Sequence, residues 1–353
     1  MKLYATIILA VWAQVNTSKT QQTEYLELMQ RGRAEYRDGH YSASQQLFID
    51  ALSKVQESDD RERAATLADL GDVYASQEEW TKAERAYSEC LSIYKRLSDN
   101  GGTALMLHNV GMLDSLQGHD EVAQRLLQEA LKLIKSIPEA DPAFMAQVLN
   151  GIGIIHYRLG NNGKAEKFFE QVMQITSAPG VRFDSARTLN NLGDVYLAQR
   201  KLKKAEDTFK RVLEMKEAQV GQSHPDLVLT LTALGVLYSG TKRYTAAEEQ
   251  YRRALAILEP HASDFEPAIA RLLHSLSITY ARAGRKSESN MALAEAAAIA
   301  RKNLHKGEMA SIVEDYSVVL KSQGKTSEAE ELRVQAKRAR SAAGLVIPAR
   351  SFS

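Results

Sequence analysis

A pattern about forty residues long recurs eight times between residues 20 and 347. It consists of a small residue, a bulky and often aromatic residue three positions on, then an alanine, then an aromatic. The clearest copies are Leu70-Gly71 with Tyr74, Trp80, Ala83 and Tyr87; Leu192-Gly193 with Tyr196, Leu202, Ala205 and Phe209; and Leu234-Gly235 with Tyr238, Tyr244, Ala247 and Tyr251. Weaker copies run through Gly32, Gly111 and Gly153. The anchor glycines at 32, 71, 111, 153, 193 and 235 are spaced 39, 40, 42, 40 and 42 residues, and Ser277 and Ser317 continue the frame at 42 and 40. Such a period builds stacked units, each burying its apolar face on the next, and excludes one globular core.

One copy shows what the unit is. Leu189, Leu192, Val195 and Tyr196 recur at spacings of three and four, which makes one apolar stripe on a helix from Arg187 to Ala198. The polar break Gln199-Arg200-Lys201 precedes a second stripe through Leu202, Ala205, Phe209, Val212, Leu213 and Met215. Glycine inside a helix costs about 1 kcal/mol relative to alanine, so its return at one frame position implies a steric need. Gly193 and Ala205 are small where two helices approach closely, and Tyr196 and Phe209 fill the gaps beside them. The prolines agree: Pro138, Pro142, Pro179, Pro225, Pro260 and Pro267 fall between the second helix of one unit and the first of the next, where proline is tolerated, and Pro348 lies in the tail. Ser223-His224-Pro225-Asp226 reads as a cap, a proline at the first helical position and an acid in the first turn.

These residues resemble the tetratricopeptide repeat, with its small residue and tyrosine on a first helix and its alanine and aromatic on a second. Gly221-Gln222-Ser223-His224-Pro225-Asp226, followed by a second helix with Ala247, Glu248, Glu249, Gln250 and Tyr251, is similar to the kinesin light chain variety. Units one, seven and eight depart from the pattern, with Glu35 and Leu320 at the tyrosine position and Ser277 and Ser317 at the glycine. The resemblance implies an all-α fold, a right-handed superhelical solenoid of about eight helix pairs whose first helices line a concave groove. The units are expected near 25–58, 64–98, 104–137, 146–178, 186–220, 228–259, 270–304 and 310–341 of a solenoid spanning 20–347, with a leader at 1–19 and a tail at 348–353.

Lys plus Arg is 45 and Asp plus Glu 44, a net charge of +1, so nothing global calls for nucleic acid or an anionic membrane. The basic end, Lys337, Arg338, Arg340 and Arg350, reads as a frayed solvated tail, or else a patch for an acidic partner; Arg200, Lys201, Lys203 and Lys204 read as a solvated turn. The single cysteine, Cys90, occupies a small-residue slot equivalent to Ala51, Ala130 and Ala254 and is expected to be a buried structural thiol. Met1-Lys2 precedes an apolar run from Leu3 to Ala13, which reads as a short export signal for a periplasmic or secreted protein, or as a capping helix of a cytoplasmic one; it is too short to span a bilayer. Asn16-Thr17-Ser18 fits a glycosylation acceptor.

No catalytic constellation appears. The eight histidines form no His-x-x-x-His pair and have no cysteine partner, and Gly151-Ile152-Gly153 lies in a helix pattern with His156 where a third glycine belongs. His156 reads as a packed core residue, and the acid pairs Glu78-Glu79 and Glu248-Glu249 as solvent-facing helix starts. The chain is therefore expected to be non-enzymatic and to need no cofactor or metal.

Function must then come from shape. Positions three and two before the anchor glycine, one after, and four and five after are expected to face the groove. There the sequence places Asp69 and Asp72 in unit two, Asn109 in unit three, Asn150 and Arg158 in unit four, and Asn190, Asn191 and Asp194 in unit five. A primary amide offers donors and an acceptor, so Asn109, Asn150, Asn190 and Asn191 form a candidate ladder for clamping the backbone of an extended peptide, a use the resemblance also implies. The expected function is a protein-interaction scaffold binding an extended peptide or partner protein. The alternative is a structural or regulatory assembly subunit acting through its ends or convex face; the oligomeric state stays open.

Overall fold

The computed structural model describes residues 21–56, 59–304 and 309–342. The proposed leader, its Asn16-Thr17-Ser18 acceptor, Arg350 and the tail lie outside them. The chain divides between Ser185 and Ala186 into two compact units. The first holds α1 (residues 21–37), α2 (Tyr41–Lys54), α3 (Asp60–Ser76), α4 (Trp80–Arg96), α5 (Asn100–Leu116), α6 (Asp120–Lys135), α7 (Pro142–Arg158) and α8 (Asn162–Thr176). The second holds α9 (Ser185–Ala198), α10 (Leu202–Val220), α11 (Val228–Gly240), α12 (Tyr244–Leu258), α13 (Glu266–Arg282), α14 (Lys286–Lys302), α15 (Met309–Ser322) and α16 (Thr326–Ala342), with short 3-10 turns at Pro225–Leu227 and Glu259–Asp264. Each unit is a run of antiparallel helix pairs, and the described residues contain no strand.

The small anchor and the aromatic meet as expected. A side-chain carbon built on Gly153 would lie 2.6 Å from the Phe169 ring, one on Gly235 would lie 2.5 Å from Tyr251, and Gly71 and Gly193 are pressed by Tyr87 and Phe209 in the same way. No side chain fits under those rings, and this close approach is the steric need that offsets the helix-propensity cost of glycine. Gly111 faces the smaller Leu127, which would stand 3.2 Å from such a carbon. Ala83, Ala123, Ala165, Ala205 and Ala247 are fully buried beside these contacts. Cys90 is buried as well; its thiol donates to the Ala64 carbonyl at 3.0 Å, and burial pushes its pKa up to about 12, which suits a structural role. Pro142 and Pro267 stand in the first turns of α7 and α13. At 225 the cap is His224, whose Nδ1 accepts from the Asp226 amide at 3.2 Å.

The turn inside each pair carries a regularity hidden from the repeat pattern. Gly39, Glu78, Gly118, Gly160, Arg200, Lys242, Gly284 and Gly324 all take positive φ, between 61° and 86°. The following residue donates its amide to the carbonyl five positions back, as in Lys201 to Tyr196 at 2.8 Å and Arg243 to Tyr238 at 2.8 Å. That bond closes the first helix by a left-handed cap, which glycine adopts without cost and Glu78, Arg200 and Lys242 adopt with some strain.

Two expectations of solvation change. The C-terminal basic run is not frayed through Arg340: α16 continues to Ala342, and Arg340 pairs with Glu314 of α15 at 2.6 Å. In the basic turn, Lys201 and Lys204 lie over the Tyr196 ring at 5.6 and 5.3 Å, so an aromatic face collects part of that charge.

Candidate functional site

Each first helix buries one stripe against its own second helix and the adjoining pairs. The opposite stripe holds the positions expected to face a ligand. Within a unit, neighbouring first helices also touch one another directly, α5 with α7, α11 with α13 and α13 with α15, so polar groups on this face can bond across one repeat.

In the first unit they do. Arg33 Nε of α1 donates to Asp69 Oδ2 of α3 at 2.8 Å, and Tyr36 Oη and Ser76 Oγ share a hydrogen bond of 2.9 Å. Asp72 Oδ1 accepts from Tyr87 Oη at 2.5 Å and from Asn109 Nδ2 of α5 at 3.3 Å. Burial raises the Asp72 pKa to about 6 against the lowering hydrogen bond from Tyr87, with the Asp69 charge adding to the rise; burial likewise raises Asp69 despite Arg33. Asn150 on α7 is half-buried on the same stripe. Two further residues of this face bond within the protein. Arg158 remains 42% exposed and donates from Nε to both carboxylate oxygens of Asp120, at 2.8 and 3.0 Å. His108 is buried, with its ring nitrogen 3.3 Å from Gln147 Nε2, and burial lowers its pKa to about 4, which leaves it neutral.

In the second unit, Asn191 and Asp194 are half-buried on α9, and burial raises Asp194 to about 6. Asn190 corrects the ladder: it is 3% exposed, and its Oδ1 accepts from Thr230 Oγ1 of α11 at 3.2 Å. Its amide joins two first helices and does not face solvent. His156, as expected, is a core residue, its ring stacked on Phe168 with centroids 5.4 Å apart. Among the described residues no group of three or more His, Cys, Asp or Glu is placed to hold a metal ion, and no helix is long and apolar enough to cross a membrane.

Two features escaped the repeat pattern. The position after the anchor, acidic at Asp72 and Asp194, becomes apolar further along the second unit as Val236, Ile278 and Val318, which are 44%, 39% and 67% exposed. Carrying the frame past Gly235 to Ser277 and Ser317 would have found it. Second, Glu248 is no solvent-facing helix start. It accepts from Tyr280 Oη at 2.8 Å, Arg252 Nε at 2.8 Å and Arg285 Nη1 at 2.6 Å, and Glu206 repeats the arrangement with Tyr238, Lys210 and Arg243. Burial alone would raise Glu248, but those donors outweigh it and bring its pKa to about 2; the Arg243 hydrogen bond leads in bringing Glu206 to about 2. Each carboxylate clamps one pair to the next.

Models described as tetratricopeptide repeat match residues 24–96, 62–136, 102–178, 144–218 and 184–259, an unbroken run from 24 to 259. Among solved structures, the apo form of the quorum sensor NprR from B. thuringiensis aligns with 96% of this chain and 94% of its own at 15% identity and a TM-score of 0.67. A Rap protein complexed with Competence and Sporulation Factor aligns over 82% of this chain and 76% of its own at 18% identity and a TM-score of 0.60. A putative kinesin light chain of Podosopora anserina, with nearly identical TPR-like repeats, aligns over 59% of this chain and all of its own at 14% identity and a TM-score of 0.49. At these identities the likeness to the NprR and Rap structures is one of fold.

Proposed function

The chain belongs to the tetratricopeptide repeat family, and from that premise we propose that it is a docking scaffold holding an extended segment of a partner protein on the first-helix face. The observation that carries this reading is the uncovered polar face of the first unit, where Asp69, Asp72, Asn109 and Asn150 stand on three successive first helices. Arg33 bonds Asp69 and Asn109 bonds Asp72 across one repeat, an ordering that reduces the entropy lost when a ligand arrives. Asn109 and Asn150 provide amide donors and acceptors for a peptide backbone, and half-buried Asp72 favours a ligand that brings amide or basic donors. Asn191 and Asp194 provide the same chemistry in the second unit, with Asn190 holding α9 to α11 behind them. The complex of the related-fold Rap protein with Competence and Sporulation Factor supports a binding role.

Selection of random extended peptides displayed against the full chain tests it. Binders are expected to weaken about tenfold or more with Asp72→Ala combined with Asn109→Ala, the equivalent of one or two lost hydrogen bonds, while helicity stays unchanged. Selected peptides that bind this variant as well as the original would remove the first-helix face from the function.

A further inference from the structure

The second unit carries a different surface on the other side of α13. Helices α12 and α14 are successive second helices, and between them opens a cleft of about 770 Å³ with α13 as its floor. Of the side chains that α14 turns to the cleft, Ala292 is the short one, between Glu288 and Met291 on one side and Glu295 and Ile299 on the other.

The cleft is apolar within and acidic around. Ile269, Leu273 and Leu276 form its floor, Leu255 and Ile299 its walls, and Met291 stands on the lip 70% exposed. At the rim are Glu259, Glu266, Glu288 and Glu295 against one cation, Arg252, whose guanidinium is engaged by Glu248 and Tyr280. Glu266 is met by Asn303 and, at 3.8 Å, by Lys302, and Glu288 by Arg285. Glu259 and Glu295 make no side-chain hydrogen bond or ion pair among the described residues. The floor runs from Glu266 to Tyr280 of α13, about 21 Å at the helical rise, a length that matches about four turns of a docked helix. An apolar trough with uncompensated acids on its edge complements a helix that is apolar on one face and basic beside it.

We infer that this cleft docks an amphipathic α-helix of a partner protein, whose aliphatic side chains enter between α12 and α14 and whose flanking lysines or arginines meet Glu259 and Glu295. The site is independent of the first-helix face: Ile278, on that face, lies about half a turn around α13 from Leu273 and Leu276. A protein built this way holds an extended segment on its first helices and a helix between two of its second helices.

Fluorescence anisotropy on the full chain tests the inference with two synthetic amphipathic helices. Both carry leucine at i, i+3, i+4 and i+7, one with lysine flanks and the other with glutamate flanks. The lysine peptide is expected to bind at least about tenfold more tightly, and more weakly as salt rises. Glu259→Lys with Glu295→Lys, at solvent-accessible positions that leave the core alone, reverses the preference. Ala292→Phe, which fills the cleft, abolishes binding of both peptides, and Asp72→Ala with Asn109→Ala leaves it intact. Equal binding of the two peptides, a preference that survives the charge reversal, or loss of binding in the Asp72/Asn109 variant each overturns the inference. Concentration-dependent dimerisation of the chain that disappears on charge reversal assigns the cleft to a second copy and overturns it too.

Discussion

The interior of a helix pair and the seam between pairs share apolar packing, but the seam adds a network of charged groups. Inside pair five, Gly193 and Phe209 meet through shape alone: the ring occupies the space that any Cβ on the glycine would need. At the seam between pairs six and seven, Glu248 is held by Arg252, Arg285 and Tyr280 through charge-assisted hydrogen bonds. Dispersion and exclusion of water act at contact distance and do not depend on pH, and apolar clusters that run from one pair to the next bring them to the seam too, as where Leu255 of α12 packs on the core around Leu273 of α13; the seam adds a contribution that depends on a carboxylate staying ionised.

The largest effect is expected from emptying the interior. Phe209→Ala leaves a cavity over Gly193 and should cost about 3–5 kcal/mol, measured by urea denaturation. Gly193→Leu forces the opposite error, overpacking, at about 1–3 kcal/mol. Combining the two should recover part of the loss, and strict additivity would show that the ring and the glycine do not share one space. At the seam, Glu248→Gln removes a partly exposed charge from its donors and should cost about 1–2 kcal/mol, less as salt rises. A cost that does not change with salt would move the seam into the class of the interior.

Acidity separates the carboxylates further. Glu206 and Glu248 have folded pKa values near 2, below their unfolded value, so the stability they contribute is complete above about 4.5 and lost as pH falls toward 2. Asp72 and Asp194 go the other way. Raised by burial to about 6, they penalise the folded state above that pH, and the penalty is relieved as pH falls from 6 to about 4. Thermal melts of Asp72→Asn with Asp194→Asn should lose the gain between pH 6 and 4 and keep the acid loss below it. The smallest effect is reserved for the turns: Lys242→Gly relieves a left-handed backbone but loosens the unfolded chain, for a net gain of about 1 kcal/mol or less. A clear loss of stability there would mean that the lysine side chain contributes more than its backbone strain costs.

The helix pairs were legible because their signals are local. A stripe at spacings of three and four is set by helix geometry, and the forty-residue return of a glycine and an aromatic needs only counting. The positive-φ turns were half legible: five of the eight are glycine, but Glu78, Arg200 and Lys242 hide the same conformation behind ordinary side chains. The site was read less well. Asp72 and Asn109 share a face and a hydrogen bond, yet Asn190 is consumed by Thr230 forty residues away and Arg158 by Asp120. Frame position alone does not reveal which neighbour in the next repeat will take up an amide or a guanidinium.

What the amino-acid order determined by itself is therefore the periodic part: helices, turns and the small-against-aromatic contact, all governed by residues within one repeat. The tertiary structure alone decided which carboxylates have their pKa brought to about 2 and which to about 6, and that a cleft opens between α12 and α14 beneath an acidic rim. Those outcomes depend on the distance, burial and volume of side chains from adjoining helices, quantities that exist only once the repeats are stacked.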